Sequence, residues 1–255
     1  MCGICGISAH PSSRINMTTL TRSLLKGIEN RGTHATGVTF SGAQQPTTTV
    51  KKAVAARNFA PSLTIPAGVS TVLGHTRFAT QGSPTTNENN HPIVVPTNTG
   101  SRIHGIHNGC LWNDDELFEA LDPNTRIAQV DSEAAFAWLG RSGLQTTHAL
   151  EDIMGSAALA WIDDDEPDLL HLARVDSSPL VIAHTTTGEL MFASTATCLT
   201  AAARTGGLDV KAIVDIPEGT YLQVTKGRVV HRENFEAGFR AGGQLTADER
   251  LALGH

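Results

Sequence analysis

Residues 2–9 read CGICGISA. Apolar and glycine-rich, this opening is expected to form a strand that packs closely against its neighbours. Cys2 follows the initiator Met, and its side chain is small enough for Met1 to be removed. Removal leaves one residue carrying both a thiol and a free α-amine. That amine titrates near about 7.7–8.0, so part of it is neutral and can accept a proton. A thiol beside its own base is an activated nucleophile. Taken alone, Cys2 reads first as a small residue at the start of a strand. Cys2 and Cys5 also spell C-x-x-C, which can mean a redox pair or half a zinc site. A zinc site needs a second pair, and Cys110 and Cys198 stand isolated with no H-x3-H nearby. Residues three apart in a strand face opposite sides, so Cys5 is expected in the core. No metal and no cofactor are expected.

Outward from this strand, residues 18–30 turn helical, with Leu20, Leu24, Leu25 and Ile28 on one face and Gly32 as the stop. Strands are predicted over 38–40, 50–54 and 69–73, and a polar loop over 81–90. A short strand over 103–107 is predicted to end in a turn at Asn108-Gly109. Helices follow over 114–121 and 131–139, each with acidic residues near its start. The second half reads as strands over 157–162, 169–172, 180–183 and 190–193. A helix capped by Ser194 or Thr195 comes next, then a strand pair joined at Lys226-Gly227. Two sheets covered by helices bury such strands on both faces, so the fold class is α+β.

The chain has 255 residues, enough for one large domain or two small ones. No linker divides the first 235 residues, so a single domain over 2–235 is expected, with 236–255 as a tail or short helix. Charged residues are 17% and hydrophobic ones 40%, which excludes a solvated, disordered chain. A net charge of −6 argues against nucleic-acid binding through bulk charge. No apolar run approaches the roughly 20 residues of a membrane helix, and no signal-peptide pattern is visible. A cytoplasmic, reducing setting without disulfides is therefore expected.

Several segments carry candidate chemistry. Residues 74–82 read GHTRFATQG. Arg77, just past a strand end, is placed to fork onto a carboxylate, with Thr76, Thr80 and Gln81 adding hydrogen bonds. The alternative is a structural arginine that satisfies loop carbonyls. Residues 106–111 read IHNGCL. Asn108-Gly109 is a turn signal, and such a turn can also aim an amide and an N–H at one point, as an oxyanion needs. Residues 130–134 read VDSEA, where Asp131 is either a helix N-cap or a carboxylate for a substrate ammonium.

Together these segments resemble the glutaminase domain of class II glutamine amidotransferases, which are N-terminal-nucleophile hydrolases. The opening is similar to that family's Cys-Gly-Ile-x-Gly-Ile. NRGTHATG at 30–37 resembles its RG-x-D-x-x-G, GHTRFATQG its GHTRWATHG, HNGCLWN its HNG-x-x-x-N, and VDSEA its S/T-D-[ST]-E. GSAALAWID, SPLVI and ELMFAST follow its later strand pattern, so the resemblance covers residues 2–232. It is nearest to the glucosamine-6-phosphate synthase type.

The resemblance implies a four-layer αββα sandwich and a hydrolase of the glutamine side-chain amide. Cys2 would be the nucleophile, its α-amine the proton shuttle, and Asn108 and Gly109 the oxyanion hole. Arg77, with Thr80 and Gln81, would hold the substrate α-carboxylate, and Asp131, helped by Gly109, the α-ammonium. Arg31, kept from the RG stretch, would support the substrate loop. Three residues depart from the pattern: Phe78 stands for Trp, Gln81 for His and His34 for Asp. Phosphate-loop and acceptor-domain motifs are not found, so the expected partner is a separate synthetase subunit that takes the ammonia. Two other functions remain open. One is a stand-alone amidase acting on another γ-glutamyl or acyl amide, and the other is a catalytically silent regulatory module.

Overall fold

The computed structural model describes residues 1–10 and 13–237. In chain order the elements are β1 (Gly3–Ser8), α1 (Met17–Ile28), β2 (Ala35–Gly42), β3 (Gln45–Lys52), α2 (Ala56–Phe59), β4 (Thr71–Arg77), β5 (Ile93–Pro96) and β6 (Arg102–Leu111). Then come α3 (Asp114–Leu121), α4 (Asp131–Arg141), α5 (Thr146–Glu151), β7 (Gly155–Asp163), β8 (Leu170–Asp176), β9 (Val181–Thr185) and β10 (Leu190–Ala193). The last are α6 (Ala196–Gly206), β11 (Val210–Asp215), β12 (Thr220–Thr225) and β13 (Arg228–Asn234).

Asn16 starts α1 by accepting the Thr19 N–H, so one orphan donor of the first turn is satisfied. Leu20, Leu24, Leu25 and Ile28 then fall on one face and are buried, as their spacing predicts. Burial of one such side chain stabilises by about 1.5–3 kcal/mol relative to exposure. Their face and that of α6 cover a seven-stranded sheet in the order β11-β9-β10-β1-β4-β2-β3. A six-stranded sheet, β13-β12-β8-β7-β6-β5, carries α4 on its outer face. Between the sheets lies a third apolar layer that includes Ile4, Leu73, Ile106, Ala160, Leu172 and Phe192. The chain is thus a four-layer αββα sandwich of antiparallel sheets.

Strand alternation assigns the faces. In β1, Cys5 and Ile7 pack with α1, whereas Ile4 enters the layer between the sheets. Cys5 is therefore core, as expected, and Cys2 shares the side of Ile4. Among the described residues no group of His, Cys, Asp and Glu is arranged to hold a metal ion. No helix among them is long and apolar enough to cross a membrane.

Two local readings are corrected. Asn108-Gly109 makes no turn: β6 runs on to Leu111, pairing with β7 from Ile103↔Asp163 to Leu111↔Gly155. The turn preference is a local term, and a continuous ladder inside a two-sheet core outweighs it. Asp131 does not cap α4, because the capping position is Val130 and Asp131 is the first helical residue. β5, β11 and α5, for which the sequence pattern offered no reading, complete the sheet edges and the outer cover. The Lys226-Gly227 turn lies where predicted, between β12 and β13. Most of the expected C-terminal tail, residues 238–255, falls outside the described residues.

Candidate active site

The ends of β1, β4 and β6 and the start of α4 converge on one cleft. It is lined by Cys2, Arg77, Phe78, Thr80, Gln81, His91, His107, Gly109 and Asp131, with Val130 and Ser132. Six of the eight residues singled out in the sequence line this cleft. The other two, Asn108 and Arg31, sit behind Cys2 and bond to each other. The enclosed space is about 20 Å³, room for roughly one water. A larger cavity, of about 880 Å³, lies elsewhere, between the start of α1 and residues 65–70, and contains none of these groups.

Register explains the convergence. Gly3 pairs with Thr76 and Ala35 with Arg77, so the nucleophile strand, β4 and β2 end together. The 3₁₀ turn Glu29–Arg31 continues α1 back toward the start of β1. Only a glycine fits at 32, because a Cβ there would stand 2.3 Å from the Arg77 carbonyl carbon. This close approach delivers Arg31 to the nucleophile. Its Nε donates to the Cys2 carbonyl at 2.7 Å, and its Nη2 donates to Asn108 Oδ1 at 3.4 Å.

The second bond orients Asn108. A guanidinium can only donate, so the amide oxygen must face Arg31 and the NH₂ must face away. Asn108 is fully buried, and its Nδ2 has no partner among the described residues. Beside it, Gly109 adopts φ +151°, and a Cβ there would lie 1.7 Å from the Ser156 carbonyl oxygen. Any other residue would break the strand at this point.

Arg77 is 2% exposed. Its Nη1 donates to Asn90 Oδ1 at 2.9 Å, and its Nη2 donates to the carbonyls of Gln81 and of Gly82, the latter at 2.9 Å. Arg77 therefore satisfies carbonyls of the 78–82 loop, as the structural reading has it, and it also lines the cleft. The Gln81 side chain closes that loop onto α4 by accepting the Asp131 N–H at 3.0 Å. The Asp131 carboxylate accepts the Leu111 N–H at 2.8 Å and the Ser132 hydroxyl at 3.2 Å.

The Cys2 thiol rests 3.6 Å from the Phe78 carbonyl. Burial pushes it up, while the N-terminal ammonium and Arg77 pull the other way. A half-buried neutral thiol needs a base before it can attack.

His91, His107 and Ser132 also line the cleft and are not among the candidates read from the sequence. His75 donates from Nε2 to the His107 carbonyl at 3.0 Å and stacks on His91 with 4.0 Å between ring centroids. Burial lowers His75 to about 3 and His91 well below the usual range, so both are neutral. His107 Nδ1 meets Ser132 Oγ at 2.8 Å. For His107 the signal was an imidazole next to Ile106 in a strand pattern, a costly placement unless it is paired or serves a site.

A family model described as a glutamine amidotransferase domain matches residues 75–201. The glutamine–fructose-6-phosphate aminotransferase of Lactococcus lactis is 31% identical over 191 residues, covering 71% of this chain and 30% of its own length. That of Gluconobacter oxydans is 33% identical over 215 residues, covering 80% and 33%. The chain belongs to the class II glutamine amidotransferases. The glutamine phosphoribosylpyrophosphate amidotransferase of B. subtilis superposes with a TM-score of 0.73 at 21% identity, over 92% of this chain and 49% of that one. It shares the N-terminal-nucleophile hydrolase fold. This amidotransferase chain spans about a third of the length of the curated relatives it matches. Two of its departures from the family pattern touch each other: the His34 ring stacks on Phe78 with centroids 5.1 Å apart.

Proposed function

We propose that this amidotransferase hydrolyses the side-chain amide of glutamine to glutamate and ammonia through a thioester on Cys2. The observation that carries the reading is the buried Asn108 NH₂, held behind the nucleophile without an acceptor among the described residues. An unpaired buried donor costs about 1–3 kcal/mol. An oxyanion formed at Cys2 is an acceptor that would repay it.

The chemistry runs in balanced steps. Removal of Met1 frees the Cys2 α-amine, which takes the thiol proton. The sulfur adds to the side-chain carbonyl carbon, and the oxyanion is met by Asn108 Nδ2–H and the Gly109 N–H. Collapse breaks the C–N bond as the α-ammonium returns the proton, and ammonia leaves. Water then adds to the thioester, and glutamate departs with the thiol restored. Asp131 pairs with the substrate ammonium. Arg77 offers the α-carboxylate the donors that the loop leaves unused, and Thr80 and Gln81 border the same end. Arg31 works as a positioning residue on Cys2 and Asn108.

We assign the amidotransferase unit to residues 2–235 and the fate of the ammonia to a separate synthetase subunit. The hand-over is supported by the relatives, which are a glutamine–fructose-6-phosphate aminotransferase and a glutamine phosphoribosylpyrophosphate amidotransferase. The test is an intact mass spectrum after exposure to a diazo-ketone analogue of glutamine. Loss of Met1 with one adduct, absent in Cys2→Ala, is the expected result. A processed chain that takes no adduct would overturn the assignment of glutamine. Repeated co-purification without a partner, together with high basal glutaminase activity, would overturn the separate subunit.

A further inference from the structure

We propose that His34 is a positioning residue for the glutamine site, bracing the loop that bears on the Cys2 thiol. The inference rests on the glutaminase reading above and adds to it a residue outside the cleft lining.

His34 follows Gly32, whose lack of a side chain lets the 3₁₀ turn press on the end of β4. Its backbone N–H donates to the Arg77 carbonyl at 3.0 Å. Its ring reaches over the next residues of the loop. Nδ1 accepts the Ala79 N–H at 2.9 Å, and the ring face stacks on Phe78 at an interplanar angle of 27°. The donor here is a backbone amide, so Nδ1 must carry its lone pair and the ring proton must sit on Nε2.

The two contacts fix neighbouring parts of one peptide. The Phe78 carbonyl belongs to the same peptide unit as the Ala79 N–H. That carbonyl is the group the Cys2 thiol rests on. A His34 ring holding the N–H therefore sets the direction of the C=O facing the sulfur. The far end of the loop is tied separately, by Arg77 to the Gln81 and Gly82 carbonyls and by Gln81 to the Asp131 N–H. Those ties involve the groups proposed to meet the substrate carboxylate and ammonium. The His34 contacts do not, so they persist when substrate engages Arg77 and Asp131.

The stack also bears on the exchange of Trp for Phe at 78. Phe78 is exposed, and His34 supplies the surface on which its ring lies. An aspartate at 34 can accept an N–H but offers no ring. Histidine supplies both.

The test uses the full chain with Met1 removed and compares His34→Ala, His34→Asn and His34→Phe. Alanine removes acceptor and ring, asparagine keeps an acceptor, and phenylalanine keeps a ring. One lost hydrogen bond and one lost ring pair predict a rise in KM for glutamine of about tenfold in His34→Ala, with kcat changed less. His34→Asn is expected to recover most of that loss and His34→Phe only the share due to stacking. Hydrogen exchange of the peptide spanning 78–82 should quicken in His34→Ala and slow again in His34→Asn. An unchanged KM and unchanged exchange in His34→Ala would overturn the brace. So would equal losses in all three variants at an unchanged thermal midpoint. Failure of the wild-type chain to take the diazo-ketone label would instead overturn the glutaminase reading, and the exchange measurement would still decide the brace.

Discussion

Two buried polar clusters in this molecule are built to opposite rules. On the outer face of the six-stranded sheet, His171, Tyr221 and Gln223 close on one another. The Gln223 amide donates to the Tyr221 oxygen at 3.0 Å, which leaves the Tyr221 hydroxyl to meet His171 Nδ1 at 2.6 Å. Trp161 covers His171 with stacked rings 4.8 Å apart. At the cleft, His75, His91 and Asn108 are just as buried. Yet His75 Nδ1, both ring nitrogens of His91 and Asn108 Nδ2 have no protein partner among the described residues. The first cluster gains stability because Gln223, Tyr221 and His171 satisfy one another in a chain of two hydrogen bonds. The second forgoes stability and keeps polar groups where a substrate and its reacting atoms are proposed to lie.

The largest effect is expected at the nucleophile. Cys2→Ala is expected to abolish glutamine hydrolysis and labelling while leaving the thermal midpoint near that of the parent. Next comes the orphan amide. Asn108→Ala should lower kcat by about 10²–10³-fold, the usual cost of one oxyanion donor. The lost NH₂ has no partner among the described residues, so its stability cost should be confined to the 3.4 Å bond from Arg31 and the vacated volume. A stability loss as large as the activity loss would show that Asn108 belongs with the satisfied cluster.

Acid sharpens the contrast next. His75 titrates at about 3 in the fold, because burial disfavours its charged form, against about 6.5 in an unfolded chain. Between those values the unfolded state binds the extra proton. Stability therefore rises with pH across that window, and it falls as the solution is acidified below about 6.5. The slope due to this one group approaches about 1.4 kcal/mol per pH unit. His75→Gln should flatten the stability profile by roughly that amount in denaturant titrations run between those limits. The smallest expected effect is on the closed cluster. Tyr221→Phe leaves His171 Nδ1 and the Gln223 amide unpaired, costing about 1–3 kcal/mol. Glutamine turnover should not change, and a drop in kcat would contradict the separation of the two clusters.

The site was legible in the sequence to the extent that it is built from short motifs at strand ends. Cys2, Arg77, Gly109 and Asp131 were nominated from local pattern and resemblance, and they share one cleft. The helical faces of α1 and α6 and the turn at Lys226-Gly227 were legible for the same reason, since spacing and capping are local. The continuation of β6 through Asn108-Gly109 was not legible. Local turn preference pointed one way, and a ladder contributed by residues some 50 positions later, such as Ala157, pointed the other. Edge strands β5 and β11 escaped because a four-residue or solvent-facing strand carries little apolar alternation.

The sequence alone determined the α+β class, the amphipathic first helix, the membership in a family of N-terminal nucleophiles and the residue types of the site. These depend on spacing, composition and motif order, which a linear string contains. Only the tertiary structure decided that Arg31 turns the Asn108 amide outward and that Arg77 spends Nη2 on its own loop. The tertiary structure also decided that His34 and Phe78, apart in the chain, stack on each other. Each of these is a choice of direction for a hydrogen bond or a ring. Direction is set by packing among β1, β4, β6 and the 3₁₀ turn at Glu29–Arg31, and no single segment contains that information.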